Sequence, residues 1–148
     1  MCRRDRYIPL EYASASKKAK LLIPSALSGG SLELRLQELA DLYGAQRLTL
    51  AVDRMAEDFF LPAPSGSGVP LSREELSSRI ERLQPSIFFS RELCAHYFTY
   101  MSRESGAHFV LFDDSASIRL KFQVARQAGI SDAVLAYPQL DDILAEII

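Results

Sequence analysis

Two cysteines and two histidines are the residues of this sequence best suited to bind a metal or to act as a nucleophile beside a base. Cys94 and His96 stand two positions apart, a spacing compatible with either chemistry. The sequence holds no second cluster at ligand spacing, and the one other histidine is His108. We therefore expect neither a metal site nor a cofactor. Cys2 and Cys94 are far apart, so both are predicted to be free thiols.

Acidic pairs are the other candidates for chemistry. Asp113 and Asp114 follow a short apolar run and precede a helical pattern. Carboxylates at that place accept hydrogen bonds from the first free amides of the helix and are stabilised by its dipole, by about 0.3 to 1 kcal/mol each. Capping is therefore the expected role of this pair. Asp141 and Asp142 precede the apolar end of the chain, where a helix start and a pairing with cations both remain open.

The stretch from residue 108 to residue 142 has the pattern of a strand, a helix and a second strand. Residues 108–112 are apolar, Ile118 and Phe122 recur at helical spacing, and Gly129 is suited to end the helix. Residues 133–137 supply the second strand. Because a connection of this length joins parallel neighbours, we predict a right-handed βαβ unit.

The rest of the chain alternates between strand and helix patterns. We predict buried strands at residues 21–23 and 47–52, a helix over residues 32–43, a long loop over residues 55–70, strands at residues 87–89 and 96–101, and a frayed helix within residues 1–16. Ser72 and Glu75 have the spacing of a capping box, which predicts a helix from there to about Leu83.

Composition excludes several classes of function. Seventeen basic and nineteen acidic residues give a net charge of −2, and the basic residues are scattered, so nucleic acid is not an expected partner. No stretch approaches the length of a membrane span or of a signal-peptide apolar core, so we expect a cytoplasmic protein that does not insert into membranes. The 148 residues suffice for one cored domain, whereas a complete eight-stranded barrel typically needs about 250.

Five segments stand in the order and spacing of a known family: residues 6–16, 20–26, AVDRMAEDFFLP at 51–62, IFFSRELCAHYFTY at 87–100, and the pattern His108-x-Val110-x-Phe112-x-Asp114-x-x-Ser117-Ile118-x-x-Lys121. Together they resemble the back part of family 18 glycoside hydrolase barrels, in particular the spore-cortex and spore-germination branch. The resemblance implies an α/β fold, a partial (β/α) barrel of about four parallel strands with covering helices and an inserted β-hairpin. The whole chain would form one domain.

The motif that carries catalysis in that family, Asp-x-x-Asp-x-Asp-x-Glu, does not occur in this sequence. Hydrolysis needs a positioned acid at the glycosidic oxygen, so we expect no catalytic residue and no hydrolysis by this chain alone. The family's last strand usually ends in a tryptophan that lies under the sugar. This chain has no tryptophan and offers Tyr137 or Ala136 there.

The resemblance also implies a substrate site, because barrel sites are built at the carboxyl ends of strands. The candidate substrate-binding residues are Asp53, Asp58, Phe59, Asp113 and Tyr137. Asp58 and Phe59 match an acidic and an aromatic position of the family's loop, which implies a contact with a sugar hydroxyl and a stacking face; an ordinary solvated loop is the alternative. His108 matches a strand-starting histidine, for which a structural, hydrogen-bonded role is implied.

The expected function is therefore that of a glycosidase-like domain without the catalytic acid, whose partner is an oligosaccharide related to chitin or peptidoglycan. Two alternatives remain: a non-enzymatic protein-interaction module, and a truncated piece of an active glycoside hydrolase. Half a barrel leaves sheet edges uncovered, so we predict a homodimer or a second chain that supplies the missing half.

Overall fold

The computed structural model describes residues 6–61 and 68–148. Its strands, in chain order, are β1 (Tyr7–Pro9), β2 (Lys20–Pro24), β3 (Leu48–Val52), β4 (Ala56–Phe60), β5 (Val69–Pro70), β6 (Phe88–Ser90), β7 (Ala95–Ser102), β8 (Gly106–Phe112) and β9 (Asp132–Leu135). Its α-helices are α1 (Leu32–Tyr43), α2 (Arg73–Leu83), α3 (Ser115–Gln127), α4 (Tyr137–Leu140) and α5 (Leu144–Ile147). Short 3-10 helices span Leu10–Ala15 and Ala45–Arg47. None of the helices within these residues is long and apolar enough to cross a membrane.

Four strands form a parallel sheet in the order β1-β2-β3-β9. The predicted partial barrel of about four parallel strands with covering helices is thereby confirmed. The two central strands, β2 and β3, are the short apolar runs that the sequence indicated.

One face of the parallel sheet packs against α1, α3 and α5. Leu21 and Ile23 of β2 and Leu50 of β3 meet Leu36 of α1 and Ile118 of α3 in a fully buried core. Burying a side chain of this size stabilises the fold by about 1.5 to 3 kcal/mol. This core holds the carboxyl ends of the parallel strands in place.

The remaining strands form an antiparallel sheet in the order β5-β4-β8-β7-β6. Its residues, 56–112, are inserted between β3 and α3, while β3 and β9 remain parallel neighbours. One face of the sheet is covered by α2, whose Leu76 and Ile80 pack against Phe98 and Val110. The predicted hairpin is confirmed as β6–β7, but it belongs to a larger sheet than expected.

Three expectations about these strands were wrong. Residues 108–112 are not a parallel neighbour of the last strand, since β8 pairs with β4 and β7 in the other sheet. The predicted loop at residues 55–70 contains β4, whose pairing with β8 supplies ladder hydrogen bonds that the local sequence does not reveal. Its residues 62–67 lie outside the part that the structure describes. The second strand of the predicted unit ends at Leu135, and Tyr137 begins α4 instead.

At the chain start, residues 7–9 form β1 beside β2, and within residues 6–16 the predicted helix is seen as the short 3-10 helix Leu10–Ala15. Cys2, predicted to be a free thiol, lies outside the described residues. Cys94 is a free, buried thiol as expected. Burial raises the pKa of this thiol.

The predicted helix starts are confirmed at two places. Ser72 caps α2, and its Oγ accepts a hydrogen bond from the Glu75 amide at 3.1 Å. Asp114 caps α3 in a reciprocal capping box with Ser117. Asp113, by contrast, is no cap but part of a buried ion pair.

Candidate functional site

A cavity of about 650 Å³ lies at the carboxyl ends of β2 and β3, between the parallel sheet and the inserted segment. Its lining comes from five places that are distant in sequence: Ala26, Asp53, Arg54, Met55, Glu57, Leu71, Arg73, Asp113 and Gln139. Carboxylate, guanidinium and amide groups together provide donors and acceptors for a polar ligand.

Asp53 stands at the end of β3 with an exposed side chain. Its backbone amide donates to Oγ of buried Ser25 at 3.1 Å, which ties the ends of β2 and β3 together. The structure therefore places Asp53 on the cavity wall, on a backbone that the neighbouring strand holds in position.

Asp113 lies at the base of the cavity and is fully engaged within the protein. Its Oδ2 accepts hydrogen bonds from Nζ of Lys121 at 2.9 Å and from the Met55 amide at 3.1 Å. Its Oδ1 accepts one from Oγ of Ser117 at 2.7 Å. The side chains of Asp113 and Lys121 are both 0% exposed. Asp113 thus joins the start of β4 to α3, and the capping role predicted for it was wrong.

The cavity is bordered by an ion-pair cluster between the inserted segment and the chain end. Arg54 contacts Asp142 at 2.6 Å, and Arg73 at the start of α2 contacts Asp141 at 2.8 Å and Asp142 at 3.3 Å. The hydrogen bond from Arg54 lowers the pKa of Asp142, and the one to Asp141 raises the pKa of Arg73. Of the two roles left open for this acidic pair, the pairing with cations is the one observed.

Asp58 does not line the cavity, and its carboxylate is engaged by side chains of β7, β8 and α2. Its Oδ2 accepts a 2.5 Å hydrogen bond from the Tyr100 hydroxyl, and its Oδ1 lies 2.9 Å from Nδ1 of His108. Nε of Arg79 in α2 is 3.6 Å from Oδ2. Burial and the hydrogen bond to Asp58 raise the pKa of Tyr100. His108 is hydrogen-bonded, as the resemblance implied.

Phe59 projects from the other face of β4, towards the side of Ala26 and Met55. Its side chain is only 6% exposed, because it packs among Ala95 and Leu111 as well. It is the buried end of an aromatic row across the sheet. Centroid distances in this row are 6.2 Å from Phe59 to Phe109, 5.2 Å from Phe109 to Tyr97 and 5.5 Å from Tyr97 to Phe88. Phe88, at the outer end, is 53% exposed.

Tyr137 is 62% exposed at the first turn of α4. The cavity is lined by the next two residues, Pro138 and Gln139, rather than by Tyr137 itself. Oε1 of Gln139 accepts a hydrogen bond from the Arg54 amide at 3.3 Å, which holds this turn beside the end of β3.

Of the five predicted site residues, the structure thus brings Asp53 and Asp113 together at the cavity and separates Asp58, Phe59 and Tyr137 from it. Sequence reasoning missed Glu57, Arg73 and Gln139. Glu57 carried little signal, because the charged residues Glu57 and Asp58 are adjacent in β4 and do not alternate with apolar ones. Arg73 and Gln139 carried none, since their place at the cavity depends on how the inserted segment docks.

Neither a protein-family model nor a curated protein sequence matches this chain. Solved structures do match. The spore cortex-lytic enzyme SleL of Bacillus cereus superposes with a TM-score of 0.68 and 18% identity over 93% of this chain and 36% of its own. A chitinase from Chromobacterium violaceum gives a TM-score of 0.69 and 18% identity over 88% of this chain and 45% of its own.

A family 18 chitinase from Cycas revoluta, solved in complex with (GlcNAc)3, gives a TM-score of 0.58 and 17% identity over 94% of this chain and 48% of its own. This chain therefore spans about a third to a half of the length of these proteins. The expected resemblance is confirmed at the level of fold: the chain has the fold of part of a family 18 chitinase-like protein.

Proposed function

We propose that this glycosidase-like fold binds an oligosaccharide of N-acetylglucosamine type without hydrolysing it by itself. The observation that carries the proposal is the 650 Å³ cavity at the carboxyl ends of the parallel strands, where Asp53, Glu57 and Gln139 offer polar groups for sugar hydroxyls. The fold is shared with a chitinase that was solved with (GlcNAc)3. The absence of the family's acidic motif from the sequence supports binding without catalysis.

The aromatic row supplies the apolar part of the proposed binding surface. A pyranose presents a face of C–H groups that stacks on aromatic rings, and Phe88 and Tyr97 are stacked side by side on the open face of the inserted sheet. Ala26 and Met55 contribute to both the cavity lining and the hydrophobic cluster below the row. A chain of several sugars would therefore extend from the cavity along the row.

We propose further that a second chain, either another copy or one that carries the missing half, covers the inner face of the parallel sheet. Within the described residues β1 and β9 each pair on one side only. Strand alternation puts Leu22, Ala51 and Val134 on the face away from the helices, and Val134 is 42% exposed. Uncovered edges of this kind are templates for pairing with another chain.

Isothermal titration calorimetry with (GlcNAc)3 and longer oligomers tests the saccharide proposal. We expect binding by the wild type, and at least a tenfold loss in Tyr97→Ala and in Asp53→Asn. Tyr12→Ala and Asp41→Asn are matched controls, since both residues are exposed and lie outside the cavity lining. Phe59→Ala is unsuitable because Phe59 is buried. No heat from the folded wild type at millimolar sugar would refute saccharide binding.

The oligomeric state tests the second proposal on the same samples. We expect light scattering at micromolar concentration to give a dimer, and Val134→Lys to give a monomer. Leu42→Lys, at an exposed position of α1, serves as the control that should remain dimeric. A stable wild-type monomer would exclude the homodimer. Co-expression with a chain that supplies the missing half of the barrel would then test whether such a chain covers the sheet.

A further inference from the structure

Ser105, His108 and Asp58 form a connected line of hydrogen bonds at the tip of the inserted sheet. Oγ of Ser105 lies 2.5 Å from Nε2 of His108, and Nδ1 of the same ring lies 2.9 Å from Oδ1 of Asp58. A hydroxyl, an imidazole and a carboxylate linked in this order are the constellation that activates a serine nucleophile. None of the three lines the cavity described above.

The direction of the hydrogen bonds follows from the groups around Asp58. The pKa of Tyr100 is raised by burial and by its bond to Asp58, so its hydroxyl keeps its proton and donates it to Oδ2. Arg79 adds a positive charge 3.6 Å from the same oxygen. The carboxylate therefore accepts at Oδ1, and Nδ1 of His108 carries the proton. Nε2 is then left as the acceptor for the Ser105 hydroxyl.

Packing holds the imidazole in this orientation. The ring of Tyr100 stacks on His108 with centroids 4.6 Å apart and planes 13° from parallel, and Phe60 contacts it edge-on at 5.5 Å. The His108 side chain is only 14% exposed, while Ser105 is partly exposed on the three-residue turn between β7 and β8. Gly106, with φ of +86°, allows the chain to make that turn. A buried base thus meets a hydroxyl that solvent can reach.

We propose that Ser105, His108 and Asp58 form a second site, which hydrolyses carboxylic esters with an uncharged, apolar acyl group. Ser105 Oγ attacks the carbonyl carbon while its proton passes to Nε2 of His108. The bond to the ester oxygen then breaks, and the alcohol leaves with that proton. Water attacks the acyl-serine by the same proton relay, which releases the carboxylic acid and restores the serine, so that one water is consumed for each ester.

The apolar acyl group is inferred from the surroundings of the site. Phe60 is directly opposite His108 in the β4–β8 pair and is 48% exposed, and Leu61 next to it is 41% exposed. These side chains favour an apolar acyl chain beside the reacting carbonyl. The proposal does not depend on saccharide binding, so either can fail without the other.

Covalent labelling with a fluorophosphonate probe tests this site, because the probe reacts with activated serines and loses fluoride. We expect a single adduct on Ser105, mapped by mass spectrometry, and none in Ser105→Ala. Ser102→Ala is the matched control: this serine lies at the other end of the same turn, and the variant should be labelled as fast as the wild type. Hydrolysis of 4-nitrophenyl butyrate should be lost in Ser105→Ala and retained in Ser102→Ala.

The role of the base is tested by His108→Gln and Asp58→Asn, each checked for folding by circular dichroism. A positioned base contributes about 10²- to 10⁴-fold, so both variants should be labelled more slowly by factors in that range. Ser105→Ala keeps the proposal falsifiable even where these two unfold, since it alters a turn residue. An unlabelled Ser105 in the folded wild type, or equal labelling rates in a folded base variant, would overturn the proposal.

Discussion

Replacement of Lys121 by methionine tests the assignment of Asp113 to a structural ion pair. The substitution keeps an unbranched chain in the fully buried place of Lys121 but removes the ammonium group that lies 2.9 Å from Oδ2 of Asp113. Among residues 6–61 and 68–148, the Met55 amide and the Ser117 hydroxyl then remain as the hydrogen-bond partners of a buried carboxylate. Removal of one member of a buried pair costs about 3 to 5 kcal/mol, a large share of the 5 to 15 kcal/mol by which domains are typically stable.

Urea unfolding followed by circular dichroism measures this loss. Lys18→Met, at an exposed position, is the matched control and should change the free energy of unfolding by less than about 0.5 kcal/mol. The double variant Lys121→Met with Asp113→Asn removes both charges. Its loss in free energy of unfolding should therefore be smaller than the sum of the losses in the two single variants, and the difference should exceed about 1 kcal/mol. If Lys121→Met costs no more than Lys18→Met, the ion pair does not hold this junction together.

Three further predictions concern other polar groups. The pKa of Tyr100 is raised in the folded protein, so the stability that its neutral hydroxyl contributes is present below about pH 10 and declines as the pH rises further. In Tyr100→Phe, this decline of the free energy of unfolding at alkaline pH should disappear. The pKa of Asp142 is lowered, so the stability from its pairing with Arg54 is present at neutral pH and is lost as the pH falls below the usual pKa range of aspartate. The variant Asp142→Asn should therefore lower the urea midpoint of unfolding at pH 7 but not at pH 2. The buried hydroxyl of Thr49 has no hydrogen-bond partner within residues 6–61 and 68–148. Replacement by an apolar side chain of the same shape, Thr49→Val, should therefore raise the free energy of unfolding by about 1 kcal/mol. A lower free energy of unfolding in this variant would mean that the hydroxyl has a partner.

The sequence determined the local features of this fold. Apolar runs and helical spacing located β2, β3, α1 and α3 close to their observed bounds, and the caps Ser72 and Asp114 were found because capping depends only on residues within one turn. The order of the five segments was enough to recognise the barrel-like fold, although the sequence identity to SleL of Bacillus cereus and to the Chromobacterium chitinase is only 18%.

Only the tertiary structure decided which strands pair. Residues 108–112 have the apolar run of a buried parallel strand, yet β8 pairs with β4 and β7, because an apolar strand fits either kind of sheet. The site depended on the same decision. Asp58 and Phe59 are neighbours in sequence but project from opposite faces of β4, so one joins His108 and the other joins the aromatic row. Lys121 in α3 meets Asp113, which directly follows β8, and both side chains are fully buried where the inserted sheet joins α3. Long-range pairing of this kind leaves no local pattern, since its energy comes from partners that the chain brings together only when it folds.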